Sequence, residues 1–277
     1  MIMDATFGQL PMRKIAPSTV QAWINQVSGG LKPRSVHKYH GILHKIFQRA
    51  MVDQILPTNP CDSVVLPKVV RRPKRIVTPE EFDLLITAVE DRYRMLVLLA
   101  IESGLRWGEL IALRPCDLDF TTRTIVVRRV IAEISKKIAP DGHRYVVKDY
   151  PKDDEQRLVQ IEADTCHLLR EHMLAEGIRD ENLLFTTTAR TPISRNTFRT
   201  RVWLPAVKAA GLKEAFTFHG LRGSHASWLL AGGADLKVVM DRLGHRQITT
   251  TQQYLGALPE AGERALAAFR KIRHRTD

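Results

Sequence analysis

The segment from Pro57 to Arg75 constrains this chain more than any other. Pro57, Pro60, Pro67 and Pro73 fall within it, with Lys68, Arg71, Arg72, Lys74 and Arg75 among them. Proline offers no backbone N–H and pushes the preceding residue out of the helical region, so neither a long helix nor a central strand can run through. The 277 residues are therefore read as two domains. A helical domain covers residues 1–66, a basic proline-rich linker covers 67–76, and a larger domain covers 77–277.

Charge points the same way. Lys and Arg outnumber Asp and Glu by 42 to 30, and the first 75 residues alone hold 12 against 3. A basic first quarter implies a polyanionic partner, with nucleic acid the first choice. Hydrophobic residues at 44% and charged ones at 26% are globular values and exclude wholesale disorder. Cys61, Cys116 and Cys166 are far apart, so neither a disulfide framework nor a cysteine zinc site is expected. That spacing fits a reducing cytoplasm. No basic-then-apolar leader is read, and Met95–Ile101, the longest apolar run, is too short to span a bilayer. Neither secretion nor a membrane partner is expected.

The first domain reads as two helices. Ser18 caps one whose apolar face is Val20, Trp23, Ile24 and Val27, and Gly29-Gly30 end it. The second runs from about 33 to 52, with Val36, Ile42, Leu43, Ile46, Phe47 and Ala50 inward. Arg34, Lys38, Lys45 and Arg49 occupy its other side as candidate DNA contacts. His37, His40 and His44 share one face of that helix. With no Cys or carboxylate joining them, a basic DNA-facing helix is the better reading than a metal site.

Thr78-Pro79-Glu80-Glu81 opens the second domain with a capping box and a proline at the first helical position. Helices follow at about 79–90, 92–103 and 106–113, the second ended by Gly104. Thr124–Val130, His143–Lys148 and Gln156–Ile161 read as strands of a small antiparallel sheet. Helices resume at about 163–176, 194–210 (interrupted by Pro205), 220–231, 235–243, 249–256 and 259–272. The fold class is mainly α with a small antiparallel β-sheet.

No GxxxxGK[ST], HExxH or GxSxG motif is present, so nucleotide hydrolysis, zinc proteolysis and the common serine hydrolase layout lack support. Other residues carry chemistry. His219-Gly220-Leu221-Arg222 sets an imidazole and a guanidinium one helical turn apart. Leu243-Gly244-His245 ends a helix on glycine, and Tyr254 follows nine residues later. Gly104-Leu105-Arg106-Trp107-Gly108-Glu109-Leu110 places an arginine at a helix start, where the dipole repels a cation unless an anion is near.

In order and spacing, GLRWGEL, HGLR and LGH with its later tyrosine resemble the tyrosine recombinases, or phage integrases. The resemblance covers about residues 76–260 as catalytic domain, and residues 10–66 resemble the family's helical core-binding domain. Gly223-Ser224 replaces the second His and the Thr of the family's common HxLRHT pattern, and Gly220 stands where Asp is frequent, at positions that are not catalytic there. The resemblance implies a phosphoryl transfer with no metal and no cofactor. Tyr254 would attack the scissile phosphate, with Tyr150 the next candidate. Arg106 and Arg222 would clamp the non-bridging oxygens, His219 would help take the tyrosine proton, and His245 would bond the phosphate. Glu109 would brace Arg106. The family's general acid is a lysine on a β-hairpin, which points to Lys152 just before the strand at 156–161, with Lys148, Lys136 and Lys137 as alternatives. Also implied are double-stranded attachment-site DNA, a homotetramer on two synapsed duplexes, and a host bending protein or excision factor. Within the family, the long Val130–Tyr150 insert fits a phage or mobile-element integrase. The competing reading is a catalytically silent DNA-binding protein on the same fold.

Overall fold

The computed structural model describes residues 4–70, 75–135, 144–150, 156–213 and 216–244. The chain divides into two compact units, Met1–Arg72 and Pro73–Asp277. No helix among the described residues is long and apolar enough to cross a membrane.

The first unit holds α1 (Asp4–Phe7), a 3-10 turn at Met12–Lys14, α2 (Pro17–Ser28) and α3 (Pro33–Val52). Ser18 does not cap α2. Ala16 does, without a side-chain bond, and Pro17 takes the first helical position, where a missing N–H costs nothing. Val20, Trp23 and Ile24 of α2 share one buried cluster with Val36, Leu43 and Phe47 of α3. Phe7 meets Trp23 edge-on at 5.5 Å.

Two expectations for α3 are corrected. Ile42 and Ile46 are 40% and 48% exposed. The buried seam runs through Val36, Leu43, Phe47 and Ala50, and each isoleucine precedes a seam residue by about 100° of helix rotation. They lie on the exposed side with Arg34, Lys38, Lys45 and Arg49. The histidines, in turn, fasten the returning segment, and His44 does meet a carboxylate there. His37 Nε2 bonds the Pro67 carbonyl at 2.9 Å, His40 Nε2 the Cys61 carbonyl at 3.2 Å, and His44 Nε2 the Asp62 carboxylate at 2.9 Å.

The second unit opens with α4 (Pro79–Ala88). Thr78 Oγ1 accepts from the Glu81 N–H, and Glu81 Oε2 accepts from the Thr78 N–H, which satisfies two otherwise orphan donors. α5 (Asp91–Ser103) buries residues all round its middle, from Met95 to Ile101, and sits at the centre of the core. α6 (Trp107–Leu110) is much shorter than the predicted 106–113.

The predicted strand 124–130 is two strands. β1 (Leu118–Asp119), β2 (Thr124–Val127) and β5 (Arg157–Gln160) make one antiparallel sheet in the order β1-β2-β5. β3 (Arg129–Glu133) and β4 (Tyr145–Asp149) make a second. Arg128 separates them for a physical reason. Arg128 Nε lies 3.0 Å from one oxygen of the buried Asp117, and Arg129 Nη1 lies 3.1 Å from the other. Successive side chains of a regular strand point to opposite faces, so both can reach one carboxylate only where the strand breaks.

α7 (Ala163–Ala175) precedes α8 (Arg195–Phe198), a π-helical stretch at Arg199–Trp203 and α9 (Leu204–Ala209). The π-stretch ends at Trp203, two residues before Pro205, which lies in the first turn of α9 and cannot donate to the preceding turn. α10 (Phe218–Ala231) packs on α5 and on α11 (Leu236–Leu243). Ser224 Oγ accepts from the Val77 N–H at 3.1 Å, and Trp228 Nε1 donates to the Val77 carbonyl at 2.9 Å. Ser224 therefore holds the strap that leads into α4.

Candidate active site

Helix ends build the site. α5 and α11 both stop on a left-handed glycine, Gly104 and Gly244, each with φ near +63°. At Gly104 no other residue fits: a Cβ would lie 2.6 Å from the His225 ring and 2.8 Å from Leu243. Helix C-termini expose unsatisfied carbonyls and the negative end of the dipole, which suits cations. Arg222, 2% exposed, occupies that position for both helices. Its Nη1 donates to the Gly104 carbonyl at 2.6 Å and its Nη2 to the Leu243 carbonyl.

Arg106 caps α6, and the anion its position called for comes from its own helix. Glu109 accepts from the Arg106 N–H at 2.7 Å and from Nη1 at 2.8 Å, while Nη2 donates to the Gly244 carbonyl at 2.9 Å. Both arginines thus hold consecutive carbonyls at the end of α11.

Glu109 is fully buried. Besides Arg106 it receives the Tyr150 hydroxyl at 2.9 Å and a two-pronged contact from Arg157, at 3.0 and 2.7 Å. Burial alone would raise the carboxyl pKa. The hydrogen bonds and charge of Arg157, then those of Arg106, outweigh it and bring the pKa down to about 2. Tyr150 is pushed up to about 12, first by burial and then by the Glu109 charge. The Tyr150 phenol is thus a donor to the Glu109 carboxylate.

Sequence reasoning missed Arg157 and Arg242. Arg157 Nε donates to the Arg242 carbonyl at 2.9 Å. Arg242 Nε donates to His225 Nε2 at 3.0 Å, and its Nη2 donates to the Glu102 and Gln160 carbonyls at 2.9 and 2.7 Å. Burial, then the Arg242 charge, bring the His225 pKa down to about 3, so this imidazole is neutral. The signals available were an arginine opening the strand at 157 and another in the last turn before Gly244.

Arg106, His219 and Arg222 line one cavity of about 1100 Å³. Trp107, Phe198 and Phe218 form its apolar wall, with Phe218 edge-on to Trp107 at 5.0 Å and to Phe198 at 5.3 Å. His219 is exposed in the first turn of α10. The Gly220 departure has a local cause: a Cβ there would lie 2.5 Å from the Phe216 ring.

Lys152, His245 and Tyr254 lie outside the described residues, as do Lys136, Lys137 and the predicted helices at 249–256 and 259–272. Lys148 is exposed on β4. Of the candidate DNA contacts, Arg34, Lys38, Lys45, Arg49 and Lys68 are exposed, with Arg49 paired to Asp53 at 3.1 Å. Arg75 is bonded to Glu81 of the capping box. Arg71, Arg72 and Lys74 lie outside the described residues. Among those described, no group of three or more His, Cys, Asp or Glu comes together as a metal site.

Comparison with known proteins agrees with this picture. The chain is 29% identical over 252 residues to the integrase of Mycobacterium phage D29, covering 89% of this chain and 64% of that protein. It is 29% identical over 239 residues to the ICEBs1 integrase of Bacillus subtilis, covering 83% and 63%. The chain thus spans just under two thirds of the length of these relatives. Its fold matches the transposon Tn1549 integrase solved with transposon right-end DNA, at a TM-score of 0.81, 18% identity, and coverage of 99% and 90%. The model of the phage integrase family matches residues 75–260, which is most of the second unit, and the chain belongs to that family.

Proposed function

We propose that this protein is a site-specific DNA recombinase that integrates or excises a phage or mobile element by cutting and rejoining strands through a 3′-phosphotyrosyl intermediate. The observation that carries the reading is the convergence of Arg106, Arg222 and His219 on one cavity, with both arginines fixed on the carbonyls directly before His245.

On this reading Tyr254 attacks the scissile phosphorus. The new bond joins the phenolic oxygen to phosphorus, and the bond to the 5′-oxygen breaks. A free tyrosine has a pKa near ~10 and needs its proton taken, here with the help of His219. The departing 5′-alkoxide takes a proton from Lys152. Arg106 and Arg222 stabilise the charge spread over the non-bridging oxygens, the dominant demand of phosphoryl transfer. His245 adds a further bond to phosphate. Attack by the 5′-hydroxyl of another duplex reverses the step, so the phosphodiester energy is retained and no nucleotide is consumed. The exposed Arg34, Lys38, Lys45, Arg49 and Lys68 contact duplex DNA, and two synapsed duplexes hold four copies of the chain.

A suicide duplex, nicked so that the cut fragment diffuses away, tests this directly. Wild type should accumulate a covalent protein–DNA adduct, and Tyr254→Phe should bind the same duplex and form none. DNA binding without any adduct from wild type would favour a catalytically silent binding protein, and an undiminished adduct from Tyr254→Phe would remove Tyr254 from the mechanism.

A further inference from the structure

Arg157 makes three side-chain hydrogen bonds at the site, yet the chemistry proposed above gives it no part. It is the first residue of β5, its side chain is 9% exposed, and it pairs in register with Val127 of β2. Both Nη atoms meet the two oxygens of Glu109 in a parallel fork. Its Nε donates to the Arg242 carbonyl in the last turn of α11. A Cβ on Gly244 would lie 3.2 Å from Arg157 Cδ, so the side chain also packs against the glycine that ends the helix.

We infer that Arg157 is a positioning residue for strand cleavage, fixing the Arg106 guanidinium by holding both of its protein acceptors, the Glu109 carboxylate and the end of α11. The inference rests on the recombinase reading.

Arg106 is steered by two contacts, Nη1 to Glu109 and Nη2 to the Gly244 carbonyl. Neither acceptor is fixed by its own covalent geometry. The terminal torsion of a glutamate side chain is broad, and a helix C-terminus frays. Arg157 removes both freedoms with one rigid plane. The fork sets the carboxylate orientation, while Nε ties the last turn of α11 to the same plane. A lysine at this place could satisfy one acceptor but not the fork and the carbonyl together. Tyr150 adds a third fixed donor to the same carboxylate.

Single-turnover cleavage of the suicide duplex tests the inference on the full chain. The proteins are wild type, Arg106→Ala, Arg157→Ala, Arg157→Lys and the Arg106→Ala/Arg157→Ala double variant. The substrates are ordinary DNA and DNA whose scissile phosphate is a methylphosphonate. Replacing a charged oxygen by methyl reduces the need for a well-placed cation. Arg157→Ala should bind duplex like wild type yet cut ordinary DNA about a hundredfold more slowly, the scale of a roughly 1 Å misplacement of a reacting group. Most of that defect should vanish on the methylphosphonate, as it should for Arg106→Ala. In the Arg106→Ala background the second change should add less than about twofold, because residues acting through one another are not additive. If Arg157→Ala does not unfold cooperatively, Arg157→Lys takes its place in the same cycle. Defects that multiply in the double variant, or that are equal on both substrates, overturn the inference and leave Arg157 a role in the fold alone. Failure of wild type to cut at all would overturn the recombinase reading and this inference with it, and that result is distinguishable because it does not involve Arg157.

Discussion

Replacing Glu109 by glutamine keeps the side-chain shape and removes the charge. The carboxylate is fully buried and accepts from the Arg106 N–H, Arg106 Nη1, the Tyr150 hydroxyl and both Nη atoms of Arg157. In Glu109→Gln one acceptor oxygen remains, and the amide N–H groups face guanidinium donors. Removing one partner of a buried ion pair costs about 3–5 kcal/mol. The lowered carboxyl pKa leads to a similar figure. A carboxyl at about 2 in the folded chain, against an unperturbed 4.5, corresponds to about 3 kcal/mol of stability. Arg106 is 44% exposed and solvent screens its share, so most of this belongs to the 9% exposed Arg157. The sign follows from the lowered pKa: the contribution is complete above pH 4.5 and is lost as pH falls towards 2, with about 2 kcal/mol gone by pH 3. Urea unfolding followed by tryptophan fluorescence measures it, because Trp107, Trp203 and Trp228 all report on the second unit. Subtracting variant from wild type at each pH cancels the other carboxylates. The stability gap should be about 3 kcal/mol at pH 7 and shrink to roughly 1 at pH 3. A gap that stays constant over that range, or one below roughly 1 kcal/mol at pH 7, would refute the assignment of Glu109 as the charged hub.

Three further outcomes are expected. Lys152→Ala should cut ordinary DNA slowly and be rescued when sulfur replaces the scissile 5′-oxygen, since a thiolate leaves without a proton. Rescue of Lys148→Ala instead would move the general acid four residues earlier. Replacing Arg34, Lys38 and Lys45 by glutamine should reduce the slope of log affinity against log salt by about 0.9 per lost phosphate contact. An unchanged slope would mean that this face of α3 does not meet DNA. His225 is neutral in the fold with a pKa of about 3, below its unperturbed 6.5, so it makes the chain less stable as pH falls below 6.5. His225→Gln should flatten the loss of unfolding free energy between pH 7 and 5, and an equally steep loss in the variant would count against that burial.

The site was legible in the sequence where its chemistry is local. Arg106 and Glu109 stand three apart at a helix start, and that spacing is itself a capping geometry. His219 and Arg222 share one turn of α10. Pairings set by tertiary distance were not legible. Arg157 is 48 residues from Glu109 and 85 from Arg242, and nothing local distinguishes it from another strand arginine. The break at Arg128 depends on Asp117, which no period-two pattern contains. Ile42 and Ile46 were placed inward because apolar residues mark a wide helical stripe, whereas the seam against α2 is narrow. The interruption expected within 194–210 is a π-helical stretch between α8 and α9, with Pro205 in the first turn of α9.

The two left-handed glycines explain why the arginine pair can serve phosphate so well on the proposed reading. A guanidinium free to rotate would have to be ordered at each encounter with DNA, at a cost in side-chain entropy. Here the carbonyls of Gly104, Leu243 and Gly244 meet that requirement during folding, because α5 and α11 end where those oxygens point at Arg222 and Arg106. Backbone carbonyls set the orientation of Arg222. Arg106 shares Glu109 with Arg157, and the three charges sum to one surplus positive charge. On the proposed reading a phosphate arriving in the cavity meets cations already aimed, which is what stabilises charge that grows only in the transition state.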